Sequence, residues 1–200
     1  MSDKLHQFPI KLAIWASGTG SNAMQLHRYF HNHPHIRVAL LVTNRHQAPV
    51  LRYAQQEQIP FWCLSADTLN DGPLLTEMLE SFSIQAIALA GYLRVVPDAV
   101  SEAFTGKIFN IHPSLLPAFG GKGMYGMHVH RAVCASGEKE SGITIHRVSG
   151  KYDEGEILFQ KSIALPSPAD PEEVARLVQT LEHQCYGPVI EQELMKSTAV

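Results

Sequence analysis

The sequence predicts one α/β domain over residues 1–200, with a doubly wound, mostly parallel sheet, a C-terminal β-hairpin and a long final helix. Three observations carry this. Five short, nearly continuous apolar runs lie before residue 113, as strands buried on both faces require. Helix-compatible segments separate them, which makes βαβ units with right-handed crossovers. The first run leads into "ASGTGSNA" (16–23), a glycine turn between strand and helix. A composition 45% hydrophobic and 18% charged over 200 residues supplies ample core for such a domain.

In chain order, "KLAIWAS" (11–17) is apolar enough for a central strand, and a helix follows over 22–31. "RVALLVTN" (37–44) is rich in β-branched and apolar residues, with a helix over 48–57. "IPFWCL" (59–64) gives the third strand, followed by a helix over 74–82. "IQAIALAG" (84–91) and "KIFNIH" (107–112) flank a short helix over 97–103. The pattern then changes. "PSLLPAFGGKGMYG" (113–126), with four glycines and two prolines, reads as a long loop before a helix over 127–136. "GITIHRVSGKYDEGEILFQKSIAL" (142–165) reads as two strands with a glycine-flanked polar connection. A last helix starts near Pro171, where proline suits the first turn. Its residues Val174, Val178, Leu181, Cys185 and Val189 make one apolar stripe. No repeat, low-complexity tract or linker interrupts the chain.

Charge and composition narrow the function. A net charge of -3 and a pI near 6.4 argue against a nucleic-acid surface. No apolar stretch approaches the ~20 residues of a membrane span. "MSDKLHQFPI" lacks the apolar core of a signal peptide. Cys63, Cys134 and Cys185 are odd in number and widely spaced, which fits neither a disulfide framework nor a zinc knuckle. A cytoplasmic protein acting on small molecules is expected.

The glycine turn matches G-x-G-x-x-A, a form of the dinucleotide fingerprint. NAD binding also wants an acid at the end of the second strand for the ribose hydroxyls. That strand ends in Asn44, Arg45 and His46, with no acid. Gly20, Ser21 and Asn22 instead suit one phosphate at a helix N-terminus, the two side chains adding hydrogen bonds or capping the helix. A tight turn without ligand is the plain alternative.

"FNIHPSLLP" (109–117) carries the chemistry. Asn110 and His112 are two apart on a strand, so they point the same way at its carboxyl end, where open α/β sheets bind ligands. An Asn amide and a protonated His both donate to a carbonyl oxygen that becomes negative under nucleophilic attack. Such a His needs a raised pKa, which a nearby carboxylate supplies. Asp153, Glu154 and Glu156 of "KYDEGE" are the candidates, and spacing does not choose among them.

Taken in order and spacing, the glycine turn, "AGYLRVV", "NIHPSLLP", "HRAV", "SGITIHRV" and "YDEGEIL" resemble the phosphoribosylglycinamide formyltransferase family of de novo purine synthesis. The resemblance runs from about residue 11 to residue 191. It implies a Rossmann-like formyltransferase fold and 10-formyltetrahydrofolate as the formyl-donor co-substrate, with no metal. Asn110 and His112 match the catalytic pair, and Asp153 matches the acid that supports the His and relays a proton through water. Gly20, Ser21 and Asn22 match the residues that hold the substrate's 5′-phosphate. Leu93, Arg94, Val95 and Val96 match a segment that receives the folate pterin, with Asn110 beside it. Glu182 matches an acid that orients the glycinamide amine. From composition alone it reads as a surface residue, although Val178 and Cys185 of the apolar stripe flank it.

Alternatives are another formyltransferase or hydrolase using the same donor, or a non-catalytic nucleotide-binding domain of similar topology. Met-tRNA formyltransferases add a C-terminal domain and the hydrolases an N-terminal one, for which 200 residues leave no room. The loop "AFGGKGMYGMHVH" (118–130) is longer than in many members; the resemblance implies that this region closes near the active site but assigns Lys122 and Tyr125 no role. "GGKG" is not a Walker A loop, since no Ser or Thr follows Lys122. "SADTLNDGPLL" (65–75) lacks the basic residue that members often offer to folate. His27, His31, His33 and His35 read as a polar surface turn rather than a zinc site, and His128 and His130 open a helix. His146 faces the site or packs beside it.

Overall fold

A computed structural model describes residues 9–150 and 152–196. Most of "MSDKLHQFPI", on which the signal-peptide reading rests, and Lys151 of "KYDEGE" lie outside the described residues. The elements are β1 (Ile10–Trp15), α1 (Ser21–Phe30), β2 (Ile36–Thr43), α2 (Val50–Gln56), β3 (Phe61–Cys63), α3 (Ala66–Asn70) and α4 (Gly72–Ser81). There follow β4 (Ala86–Leu89), α5 (Asp98–Ala103), β5 (Ile108–His112), α6 (Met127–Ser136), β6 (Glu140–Arg147), β7 (Ile157–Ala164) and α7 (Pro171–Lys196).

The strands form one sheet in the order β3-β2-β1-β4-β5-β6-β7. The first five in that order run parallel, and β6 and β7 add antiparallel partners. This is the expected mostly parallel sheet with its hairpin and long final helix. From β1 the chain winds outward to β2 and β3, then returns to β4 on the other side. The carboxyl ends of β1 and β4 therefore border the crevice where strand order reverses.

Side-chain alternation explains why the central strands read as continuous apolar runs. Leu12 and Ile14 face one core with Leu26 and Phe30 of α1, Tyr53 of α2, and Val178 and Ile190 of α7. Ala13 and Trp15 face the other, with Leu75 and Leu79 of α4 and Val100 of α5. The stripe on α7 is buried along its length: Val174, Val178, Leu181, Cys185 and Val189. No helix among the described residues is long and apolar enough to cross a membrane.

Two local departures from the sequence reading have clear causes. The segment after β3 contains α3, whose N-cap Ser65 accepts from Thr68 N–H at 3.1 Å. Helix α4 starts at Gly72 rather than near residue 74, because the Asp71 carboxylate caps it by accepting from Leu74 N–H at 3.1 Å.

One buried group fastens α7 to the strands that carry the site. The Tyr186 hydroxyl lies 2.9 Å from the Leu89 carbonyl of β4 and 3.0 Å from the Phe109 carbonyl of β5. Tyr186→Phe keeps the ring packing and removes only that bridge, so a loss of about 1 kcal/mol is expected. Urea unfolding measures it; an unchanged midpoint and slope would show that the bridge contributes nothing.

Candidate active site

A cavity of about 720 Å³ opens at the carboxyl ends of β4 and β5. Asn22, Leu93, Arg94, Val95, Val96, Asn110, His112, Asp153 and Glu182 all line it. Of the residues expected to touch substrate or donor, Gly20 and Ser21 lie outside the lining, two positions and one position before Asn22.

The β5 pair sits as the strand period requires. In the antiparallel ladder with β6, Asn110 faces His146 and His112 faces Thr144. His112 is only 4% exposed. Its Nε2 lies 2.8 Å from the Phe119 carbonyl, and its Nδ1 lies 3.5 Å from Asp153 Oδ2. Asn110 Nδ2 lies 3.0 Å from His146 Nε2.

Of the three acids in the connection between β6 and β7, Asp153 is the one that turns to His112. Glu156 is drawn off by the Arg147 guanidinium. Asp153 stands at φ 55, and its Oδ2 also accepts from Gly121 N–H at 2.9 Å. Burial pushes the Asp153 carboxyl up, but the His112 ring and the Gly121 N–H beside it hold it below its ordinary value.

The charge on His112 departs from expectation. Burial lowers its pKa, and Asp153 and the Phe119 carbonyl, which both raise it, do not make up the difference. A carboxylate beside a His raises the pKa only to the extent that it outweighs the desolvation of the charged ring. Here the free chain holds His112 below its ordinary 6.5.

On the opposite wall, Gly20 is the N-cap of α1 at φ 79, and no side chain caps the helix. A Cβ at Gly20 would fall 2.2 Å from Val50 Cγ2, so the turn accepts only glycine. The side chains of Ser21 and Asn22 do not cap α1; they reach α7. Gln179 Nε2 donates to Ser21 Oγ at 3.1 Å, and Asn22 Nδ2 donates to Glu182 Oε2 at 3.0 Å. Burial raises the Glu182 carboxyl to about 7, against the lowering effect of Asn22. Gln179 also lines the cavity, one turn before Glu182, and sequence reasoning missed it. Its spacing of three from Glu182 on one helix face was the available signal.

Between the walls, Leu93 N–H donates to Ser17 Oγ at 3.0 Å, and that hydroxyl donates to Asn44 Oδ1 at 2.6 Å. Asn44, which stands where a dinucleotide site wants an acid, instead ties the end of β2 to Ser17, whose hydroxyl holds the segment after β4. Lys122 and Tyr125 line the cavity from the long loop. Neither histidine group forms a metal cluster. His27 Nδ1 lies 2.9 Å from the Tyr53 hydroxyl, and His33 Nε2 lies 3.1 Å from Glu191 Oε1. Among the described residues no three His, Cys, Asp or Glu side chains gather so as to hold a metal ion.

Residues 10–190 match the formyl transferase family. The Bacillus subtilis phosphoribosylglycinamide formyltransferase is 35% identical over 189 residues, which cover 92% of this chain and 94% of that relative. The chain belongs to the phosphoribosylglycinamide formyltransferase family. A chloroplastic family member from Vigna unguiculata is 43% identical over 188 residues; the match covers 90% of this chain and 60% of that relative's length. The crystal structure of the Bacillus halodurans phosphoribosylglycinamide formyltransferase superposes with a TM-score of 0.83 at 31% identity, covering 94% of this chain and 96% of that one. The family match includes every residue that lines the cavity, from Thr19 to Glu182.

The raised Glu182 carboxyl has a thermodynamic consequence. A folded-state pKa of about 7 against an ordinary 4.5 means that the folded chain holds the extra proton between those values. Stability contributed at this site is therefore lost as pH rises through that window. Glu182→Gln removes the buried charge and keeps an acceptor for Asn22. Near pH 8 it should resist urea better than the parent by a margin of order 1 kcal/mol, and near pH 4 the advantage should vanish. A gain equal at both pH values would contradict the assignment.

Proposed function

We propose that this chain transfers the formyl group of 10-formyltetrahydrofolate to the amine of 5′-phosphoribosylglycinamide. The observation that carries the reading is that one cavity joins two walls: Asn110, His112 and Asp153 on one, Asn22 and Glu182 on the other. The first wall suits an acyl carbon under attack; the second suits an amine with a phosphate behind it.

In this mechanism Gly20, Ser21 and Asn22, at the N-terminus of α1, anchor the 5′-phosphate beside the helix N–H groups. Glu182 orients the glycinamide amine, and Leu93, Arg94, Val95 and Val96 receive the pterin of the donor. The neutral amine attacks the formyl carbon. Asn110 Nδ2 and His112 Nε2 donate to the oxygen that becomes negative, the latter in exchange for its bond to the Phe119 carbonyl. The amine gives up one proton, the C–N bond to the folate nitrogen breaks, and that nitrogen takes a proton as it leaves. His112 Nδ1 and the Asp153 carboxylate lie along this route and hold the proton between the two steps. No proton is gained or lost overall, and the mechanism asks for no metal. Holding both substrates in register removes several kcal/mol of the barrier, the order seen in effective molarities.

The free thiols Cys63, Cys134 and Cys185 and the net charge of -3 support a cytoplasmic location and small-molecule substrates rather than nucleic acid.

A folate absorbance assay with three acceptors tests the reading: phosphoribosylglycinamide, glycinamide without phosphate, and water. Turnover should be confined to the first. Equal rates on the phosphate-free amine would remove the role of the α1 N-terminus, and turnover on water would make the chain a hydrolase. His112→Ala should lose about 10²–10³ in kcat, the range for an oxyanion donor. Asp153→Asn should lose far more than Glu154→Gln; comparable losses would reject Asp153 as the proton-handling acid.

A further inference from the structure

His146 is 2% exposed and stands across the β5–β6 ladder from Asn110. Its Nδ1 lies 2.9 Å from the carbonyl of Arg147. A carbonyl oxygen only accepts, so Nδ1 carries the proton. In the neutral ring Nε2 then presents a lone pair, and Asn110 Nδ2 at 3.0 Å supplies the donor. This bond sets the orientation of the Asn110 amide: Nδ2 faces His146 with one N–H, and its second N–H is left for the cavity that Asn110 lines.

We propose that His146 is a positioning residue, a neutral imidazole protonated at Nδ1 that holds the Asn110 amide with its N–H toward the reacting carbonyl. Without that acceptor the amide is free to turn over and present Oδ1, which a developing oxyanion repels. The inference rests on the reading of Asn110 as an oxyanion donor.

The surroundings fix the tautomer. Gly155 lies so close that a Cβ there would fall 1.6 Å from the Arg147 oxygen and 3.3 Å from His146 Nδ1. Arg147 N–H donates to the Glu156 carbonyl at 2.9 Å, and its guanidinium reaches Glu193 Oε2 at 2.7 Å. The carbonyl that accepts from Nδ1 is therefore held in place. The titratable groups facing the ring are His112 from β5 and Asp153 from the connection after β6. Asp153 Oδ1 stands 3.6 Å from Nε2, beyond hydrogen-bond reach and longer than the separation from Asn110. A second proton on the ring would turn Nε2–H to that carboxylate and release Asn110, so the positioning role belongs to the neutral form.

Two variants and one spectrum test this. Gln at position 146 places an amide oxygen where Nε2 stands and still accepts; Leu fills the space and does not. His146→Leu should lose about 10–10² in kcat with the KM for both substrates little changed, while His146→Gln keeps most of the activity. Nitrogen-15 NMR of the intact protein near pH 7.5 should show His146 as the Nδ1–H tautomer. An Nε2–H tautomer or an imidazolium would overturn the proposal, as would equal losses in both variants or none in either. If His146→Leu does not fold, the tautomer and the His146→Gln rate decide the matter. Asn110→Ala separates the two claims: if it turns over normally, the oxyanion reading of Asn110 fails. If it is impaired while His146→Leu is not, the role of His146 alone fails.

Discussion

The close approach of the connection after β6 to the strand it has just left is the constraint on which the site depends. Gly155 touches the Arg147 carbonyl so tightly that no larger residue fits without the chain moving. That contact brings Asp153, at φ 55, up to the His112 and His146 rings. The β5–β6 register then does the rest, setting Asn110 against His146 and His112 against Thr144. Thr144 is buried; its hydroxyl donates to the Ser114 carbonyl at 2.7 Å and accepts from Leu116 N–H at 2.9 Å. These bonds steer the exit from β5, so that the Phe119 carbonyl arrives at His112 and Gly121 N–H at Asp153.

Two opposed effects set the chemistry of this cluster. His112 has an acceptor near each nitrogen, which favours the doubly protonated ring. Its burial disfavours that same charge, and burial wins in the free chain. The site is thus poised with a neutral ring that still offers Nε2–H, beside a carboxylate held ionised. Glu182 shows the converse on the far wall: burial lifts its carboxyl to about 7, so its charge is marginal near neutrality. A neutral His and a reluctant acid facing each other across a cavity suit a reaction whose steps move a proton without net change.

Much of this was legible in the sequence, and the parts that were not share a cause. The parallel sheet followed from the buried-strand runs, the α7 contacts from a single apolar stripe, and the Asn110–His112 pair from a spacing of two at a strand end. The lack of an acid beside Asn44 weakened a dinucleotide reading, and the structure gives that residue to Ser17 instead. The choice of Asp153 over Glu154 and Glu156 was not legible from spacing, because it is made by backbone conformation and by Gly155. The roles of Phe119 and Gly121 are carried by backbone atoms, which leave no mark on residue type. Helix α3 escaped because five residues are too few for a period to show; its Ser65 cap was the available sign. The pKa of His112 went the other way from expectation because a nearby acid can be read from sequence, whereas the depth of burial cannot.

The glycine turn, the segment 93–96 after β4 and the β5 pair belong to different βα units, yet they meet at the one place where strand order reverses. The proposed reaction turns on the buried His112, with Asp153 beside it to oppose the cost of its charge. The most direct measurement is a nitrogen-15 NMR titration of His112 in the wild-type chain and in Asp153→Asn. The account predicts a midpoint below the ordinary 6.5 in the wild type and a lower one still in the variant. A wild-type midpoint above the ordinary value, or one that rises when the carboxylate is removed, would contradict it.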